Sequence, residues 1–341
     1  MNICLLSGSY KPGKCGISDY IKLISGELQR CGNKCNHVAL DEENTLSDIA
    51  QNLPYADLYS IQFAPYAFSS SGLSKKGLIT FAKSLANKNT HINFHEIWIG
   101  AYPKATWKEK TIGWLQKREI INFINICKPS AITCSNSAAL DRMRQTGIDA
   151  KFLYLFGNIP YSPSEKHDSL NHFKVVFFGT LYGKFPYYQL AKVLFLISQS
   201  LKKQIHIKIL GRQREGEGLQ YLKMVSQKHG FAISQSGELS ISKISEELQR
   251  SDLGVSTTPY DILGKSGATA TMLEHGLPIL AYDDGDTPKS KLFVMNEFID
   301  QVFLLNEDST PERMISFLQK TRKQFFDGVA YTAKKMLEIV Y

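Results

Sequence analysis

Apolar residues along this chain follow two rhythms. Short, nearly continuous runs sit at 3–6, 36–40, 58–61, 92–94, 131–134 and 152–155, while 17–31, 73–86, 107–127 and 137–145 place apolar residues at helical spacing. The first rhythm predicts buried strands and the second predicts amphipathic helices. From 157 to 172 the pattern lapses into Pro, Ser, Asn and charge, with Pro160 and Pro163 inside, which reads as a linker. It then restarts, with strands at 174–178, 205–210, 232–235, 253–256 and 279–282 and helices at 187–200, 219–229, 241–250 and 266–275. Two amphipathic segments follow at 311–326 and 330–340. Strands alternating with helices imply mostly parallel sheets covered on both faces. The expected fold class is α/β, with two doubly wound, Rossmann-like domains facing across a cleft. The first domain spans 1–156, the linker 157–172 and the second domain 173–326; a C-terminal helix at 327–341 has the option of returning to the first domain. Ligands of such domains bind beyond the carboxyl ends of the strands, so the cleft is the expected site.

Composition narrows the partners. A chain of 341 residues with 43% hydrophobic content has enough apolar material for two cores, which argues against disorder. No apolar run reaches the roughly eighteen residues of a membrane span. The opening Met1-Asn2-Ile3-Cys4-Leu5-Leu6 lacks a basic segment before its apolar run and reads as a first strand, not a signal peptide. The six cysteines (Cys4, Cys15, Cys31, Cys35, Cys127, Cys134) match no zinc spacing, and Cys4 and Cys134 fall inside strand-like runs as small buried hydrophobes. Free thiols suit a reducing, cytosolic compartment. The net charge of +8 is not gathered in a tail, so it must form surface patches that attract anionic partners. No zinc-finger, basic-zipper or RNA-binding pattern accompanies it, so nucleic acid is not an expected partner.

Five stretches carry candidate chemistry. In "GSYKPGKCGISDY", residues 8–20, Gly8, Gly13 and Lys14 match P-loop spacing, but Cys15 replaces the hydroxyl that should hold Mg²⁺, and Pro12 removes a backbone donor. Three readings stay open for it: an NTP clamp, a tight strand-to-helix turn, and a ligand-contacting loop of another kind. "HEIWIG" sets His95, Glu96 and Trp98 just past a strand, where a buried structural histidine and a site-edge histidine are both plausible. "FFGTLYGKF" and "ILGRQREG" each end a strand in glycine and then supply Lys184, Arg212 and Arg214, cations suited to a diphosphate or simply solvated charge. "TTPYDILGKSGATATMLEHGLPILAYD" brings Lys265, Ser266 and Gly267 to the start of a small-residue helix, whose free amides favour an anion.

Taken as a set, "GKCGISDY", "FHEIW", "VVFFGTLYGK", "LFGNIP" and "SGATATMLEHGLPILAYD" resemble the GT-B nucleotide-sugar-dependent glycosyltransferases, close to family 4, over nearly the whole chain. The resemblance implies a role for each matching residue. Gly16 lets the first loop approach the donor, and His95 hydrogen-bonds the transferred sugar. Lys184, with Thr180 beside it and Arg212 beyond, neutralises the leaving diphosphate. Lys265, Ser266 and Gly267 bind its oxygens. Glu96 and Trp98 lie on the acceptor side. Two positions depart from the family. The Glu-x7-Glu acids fall on Leu263 and Thr271, so Thr271 inherits the donor-side position without the carboxylate. Thr180 stands where an Arg often follows the second-domain glycine.

The activity so implied is hexosyl transfer from a nucleotide-diphospho-sugar, UDP-sugar favoured, to a glycan or lipid-linked acceptor. It is retaining, requires no metal or other cofactor, and serves polysaccharide or glycolipid synthesis. The alternatives are a sugar-nucleotide epimerase or phosphorylase of the same fold, a non-catalytic sugar-nucleotide-binding relative and, remotely, a P-loop NTPase. Two segments mix aromatic with basic residues: 102–118, with Trp107, Trp114, Lys104, Lys108, Lys110, Lys117 and Arg118, and 73–88, with Phe81, Lys75, Lys76, Lys83 and Lys88. Either they face an anionic membrane or they pack their aromatics inward. The first option places the protein in the cytoplasm, peripherally on the inner face of the membrane.

Overall fold

In a computed structural model the described residues are 1–341 except 9, 14, 41–44, 70, 74, 103–104, 165–170, 214, 284–295, 307–308 and 322–323, and the side chains of 75, 261, 296 and 297. The chain divides into two compact units, Met1–Leu155 with Val329–Tyr341, and Phe156–Gly328.

The first unit runs β1 (Asn2–Ser7), α1 (Gly16–Arg30), β2 (Lys34–Ala39), α2 (Leu46–Gln51), β3 (Leu58–Phe63), α3 (Pro65–Phe68), α4 (Lys75–Leu85), β4 (Thr90–Phe94), α5 (Trp107–Cys127), β5 (Ala131–Cys134), α6 (Ser137–Arg144) and β6 (Lys151–Phe152). Its sheet is parallel throughout in the order β2-β1-β3-β4-β5-β6. β3 and β4 are buried at every position, as helices on both faces of a parallel sheet require. Phe63 packs against Phe94 and Phe123, and Phe81 against Phe123, which seats α4 and α5 on one face. Two elements here escaped the apolar pattern. α2 is short and starts on a Thr45/Asp48 capping box, and α3 is a single turn opened by Pro65. The last predicted strand shrinks from four residues to β6, although Leu153 N–H still donates to Cys134 O at 3.0 Å.

The second unit runs β7 (His172–Phe178), α7 (Tyr187–Leu201), β8 (Gln204–Leu210), α8 (Glu217–His229), β9 (Ala232–Gln235), α9 (Ile241–Gln249), β10 (Leu253–Pro259), a 3-10 segment (Tyr260–Lys265), α10 (Gly267–Glu274), β11 (Ile279–Tyr282), a second 3-10 segment (Asn296–Gln301), β12 (Val302–Leu305) and α11 (Pro311–Thr321). Its sheet, also parallel, has the order β12-β11-β10-β7-β8-β9, so the strand order reverses between β7 and β10. The stretch 157–172 read as a linker begins as part of this unit. Ser162 N–H donates to Ser245 Oγ of α9 at 2.9 Å, and Gln249 Nε2 donates to Ser162 O at 2.6 Å.

α12 (Gly328–Val340) leaves the second unit at its first residue and packs in the first. There Thr332 Oγ1 donates to Tyr154 O at 3.0 Å, the rings of Tyr331 and Tyr154 meet edge to face, and Met336 Sδ lies 3.9 Å from Ser60 Oγ.

Candidate functional sites in the two units

The switch point of the second sheet gathers four chain segments. β7 is followed by Gly179, whose φ of +96° only glycine adopts freely, and a Cβ there would stand 2.8 Å from Ala268 Cβ in the first turn of α10. Thr257, at the end of β10, clasps the next turn: its hydroxyl donates to Thr180 O at 2.5 Å and accepts from Tyr182 N–H at 3.2 Å. From the loop after β8, Gln213 Nε2 donates to Gly179 O at 2.8 Å.

The fourth segment is the start of α10. Ser266 is the N-cap. Its hydroxyl accepts from Thr269 N–H at 3.1 Å and Thr269 Oγ1 at 2.9 Å, while Ser256 braces Thr269 at 2.8 Å. The cap takes the third amide of the helix and leaves those of Gly267 and Ala268 without an intrahelical acceptor. Of the two residues Ala268 lies against Gly179, and exposed Lys265 comes immediately before them in the chain. Two amides, a helix dipole and a cation at one switch point can hold a doubly charged oxyanion.

Other predicted donor residues have more mixed surroundings. Thr180 and Lys184 are exposed, and Glu217 lines the glycine before Lys184. Arg212 is an exposed partner of Glu238 at 3.3 Å, a pairing that costs little to exchange for another anion. Arg214 lies outside the described residues. Thr271 requires a correction: it is fully buried, and a Cβ on Gly157 would come within 2.5 Å of its Cα and Oγ1. It packs beneath the backbone of Gly157 and presents no surface to a ligand. Leu263, at the other departed position, is likewise buried. Glu274, one turn beyond Thr271, is buried too, and its carboxylate accepts from Gly157 N–H at 2.8 Å.

In the first unit the "KPGKC" loop closes on itself. Lys11 N–H donates to Ser18 Oγ at 2.8 Å, Gly13 N–H to Asp19 Oδ1 at 2.6 Å and Cys15 N–H to Lys11 O at 3.1 Å. Among the described residues the Lys11, Gly13 and Cys15 amides are thus spent, that of Gly13 on a carboxylate, which argues against a phosphate cradle and for a chance match of spacing. Lys14 lies outside the described residues. Gly16 opens α1 exposed, with nothing within 4 Å of an added Cβ.

His95 follows β4, 7% exposed, with its ring edge-on to Tyr20 of α1 at 4.8 Å. Its Nε2 lies 3.0 Å from Gln62 Oε1, and Gln62 belongs to a closed ring of buried side chains on β3, β4 and β5. His91 Nε2 lies 2.8 Å from Thr133 Oγ1, Thr133 donates to Asn93 Oδ1 (2.9 Å), Asn93 Nδ2 to Gln62 Oε1 (3.0 Å) and Gln62 Nε2 to Ser60 Oγ (2.9 Å), and Ser60 Oγ lies 3.0 Å from His91 Nδ1. Burial pushes His95 down to about 4 and His91 to about 3, so both imidazoles are neutral near pH 7. His95 can therefore exchange hydrogen bonds there but cannot serve as a cation. Glu96 is exposed, and Trp98 is half-buried against the first core with Lys117 Nζ 5.4 Å over its ring. The ring itself was overlooked in the sequence. Its signal was there: polar residues at every second position, Ser60-Gln62 and His91-Asn93-His95, in strands that a parallel sheet buries on both faces.

No protein-family model matches the chain, and no curated protein matches it by sequence. Solved structures do. Anabaena HepE, in a complex with UDP, aligns with a TM-score of 0.58 at 15% identity over 98% of this chain and 94% of its own. AviGT4, a glycosyltransferase involved in avilamycin A biosynthesis, aligns at 0.55 with 11% identity over 100% and 97%. The UDP-GlcNAc 2-epimerase from Methanocaldococcus jannaschii aligns at 0.51 with 10% identity over 100% and 99%. Identities this low report architecture and leave chemistry to the residues. With two parallel, doubly wound sheets and these neighbours along nearly its full length, the chain has the GT-B fold.

Proposed function

We propose that this protein transfers a sugar from a nucleotide-diphospho-sugar, a UDP-sugar in the favoured case, to a hydroxyl of a glycan or lipid-linked acceptor. The observation that carries the reading is the switch point of the second sheet, where Ala268 in the first turn of α10 lies against Gly179 and exposed Lys265 stands just before that helix. A leaving diphosphate gains charge as the bond from the anomeric carbon to its oxygen breaks, and oriented amides and cations lower that barrier. The acceptor oxygen bonds to the anomeric carbon on the face the diphosphate leaves, and its proton passes to a phosphate oxygen. Configuration is then retained without a protein base or a metal. Lys184 and Arg212 add charge near the diphosphate, and neutral His95 exchanges hydrogen bonds with the sugar.

Isothermal titration with UDP, GDP and ADP tests the donor. UDP is expected to bind the strongest, and Lys265→Ala to weaken it roughly tenfold or more, while Lys228→Ala on the far end of α8 leaves it unchanged. Absence of binding by all three nucleotides at millimolar concentration sinks the reading. A 2-epimerase among the structural neighbours motivates a second reading, sugar-nucleotide epimerisation. Release of free UDP that depends on an acceptor separates transfer from epimerisation.

The lipid-linked option draws support from α5. Trp107 is 79% and Trp114 55% exposed, beside exposed Lys108, Lys110 and Arg118, with the Arg118 guanidinium 4.7 Å from the Trp114 ring. Aromatic and cationic side chains together on one helix suit an anionic bilayer interface. The 73–88 segment offers no such surface, because Phe81 is in the core. Lys104 and the Lys75 side chain lie outside the described residues.

A further inference from the structure

Gln62 Oε1 is approached from two sides, by Asn93 Nδ2 and by His95 Nε2, each at 3.0 Å. Two lone pairs at that separation repel, so the His95 proton belongs on Nε2. Asn93 Nδ2 also stands 3.4 Å from His95 Nε2, a contact that would favour a bare Nε2, but it is longer and Asn93 already donates to Gln62. The ring leaves little freedom. With the amides so oriented, Thr133 gives its one hydroxyl proton to Asn93 and so accepts from His91, while the Ser60 proton serves the short contact with His91 Nδ1 at 3.0 Å in preference to Met336 Sδ at 3.9 Å. Turning one amide alone sets donor against donor and acceptor against acceptor. Turning both amides reverses the whole ring, moves the His91 proton to Nδ1 and presents His95 with an N–H. The sense of the ring and the tautomer of His95 are thus a single variable. As oriented, His95 keeps a lone pair on Nδ1, and that atom has no hydrogen-bond partner among the described residues.

We propose that Gln62 is a positioning residue that, held by the buried ring, fixes His95 as the Nε2–H tautomer and so offers Nδ1 to the transferred sugar as a hydrogen-bond acceptor. A sugar hydroxyl donates to it. The site therefore selects donors that carry a hydroxyl there over their deoxy or O-methyl counterparts. The sugar as occupant rests on the glycosyl-transfer reading; the tautomer does not. Among the described residues Tyr20 on α1 meets the His95 ring and His91 on β4 lies within its electrostatic reach, and neither supplies a charge near pH 7.

Long-range ¹H–¹⁵N spectra of the imidazoles in the full-length chain at pH 7.5 test this directly. The Nε2–H signature is expected for both His91 and His95; an Nδ1–H signature or a tautomer mixture at His95 overturns the proposal. Gln62→Met removes the acceptor oxygen and is expected to release His95 into a mixture while kcat falls about tenfold with donor KM within about twofold. Gln62→Glu restores an acceptor oxygen and is expected to return the Nε2–H signature. If Gln62→Met leaves that signature intact, Gln62 does not position His95, whatever happens to kcat. Should Gln62→Met not fold, Thr133→Val, which opens the ring from β5, is expected to give the same mixture. A Gln62-dependent tautomer in a protein that transfers no sugar from any donor would sink the glycosyl-transfer reading and leave the positioning role standing.

Discussion

Gly16 separates a ligand's demands from the fold's. It occupies the first position of α1, is exposed, and has no neighbour that an added methyl would meet. Alanine is the better helix former there. Gly16→Ala is expected to leave the thermal midpoint within about 2 °C of the parent and to lower kcat/KM roughly tenfold if a donor approaches this backbone. Unchanged kcat/KM would remove Gly16 from the site. Gly157 is the opposite case, since its missing side chain is taken up by Thr271 of the same unit. The two positions explain why residue-level reading succeeded unevenly. Glycine, lysine and serine at strand ends were visible because their chemistry is local. That Thr271 and Glu274 are turned inward was not, because which side of a short helix of small residues lies against Gly157 is decided by tertiary packing.

At the level of elements, the polar ring crosses three buried strands and makes the first sheet sensitive to acid. His91 and His95 stay neutral in the folded protein down to about 3 and 4, whereas an unfolded chain protonates them near 6.5. The unfolded state thus binds more protons as pH falls below about 6.5, and stability drops from its full value above that point. The limiting slope is about 1.4 kcal/mol per pH unit for each imidazole. Urea midpoints measured between pH 7.5 and pH 5 should fall accordingly, and His95→Gln should flatten the curve by one imidazole's share. A midpoint independent of pH would contradict the neutral assignment. Helices and strands with strong periodicity were legible within a few residues, α5 at both ends. α2 announced itself only through Thr45 and Asp48, and β12 lay in a stretch to which no element was assigned.

On the scale of the whole molecule, two α/β units could be read from the sequence because the apolar rhythm lapses and restarts. The fold neighbours supply the same architecture at identities too low to carry chemistry. Surface function was less legible, since periodicity alone could not say whether Trp107 and Trp114 face in or out. Their exposure predicts flotation with liposomes containing anionic lipid. Trp107→Ala with Trp114→Ala should abolish flotation while leaving UDP binding intact. Equal flotation on neutral and anionic vesicles would argue against the charge-assisted mode. Among the described residues no helix is long and apolar enough to cross a membrane.

The return of α12 to the first unit also sets an order of events during synthesis. Phe156–Gly328 emerges between the first unit's strands and the helix that completes that unit. At ordinary translation rates of about 5–20 residues per second, roughly ten to thirty seconds separate the two. Throughout that interval the nascent first sheet lacks Met336 beside Ser60, and the polar ring must close, or wait, without the helix that later lies against it.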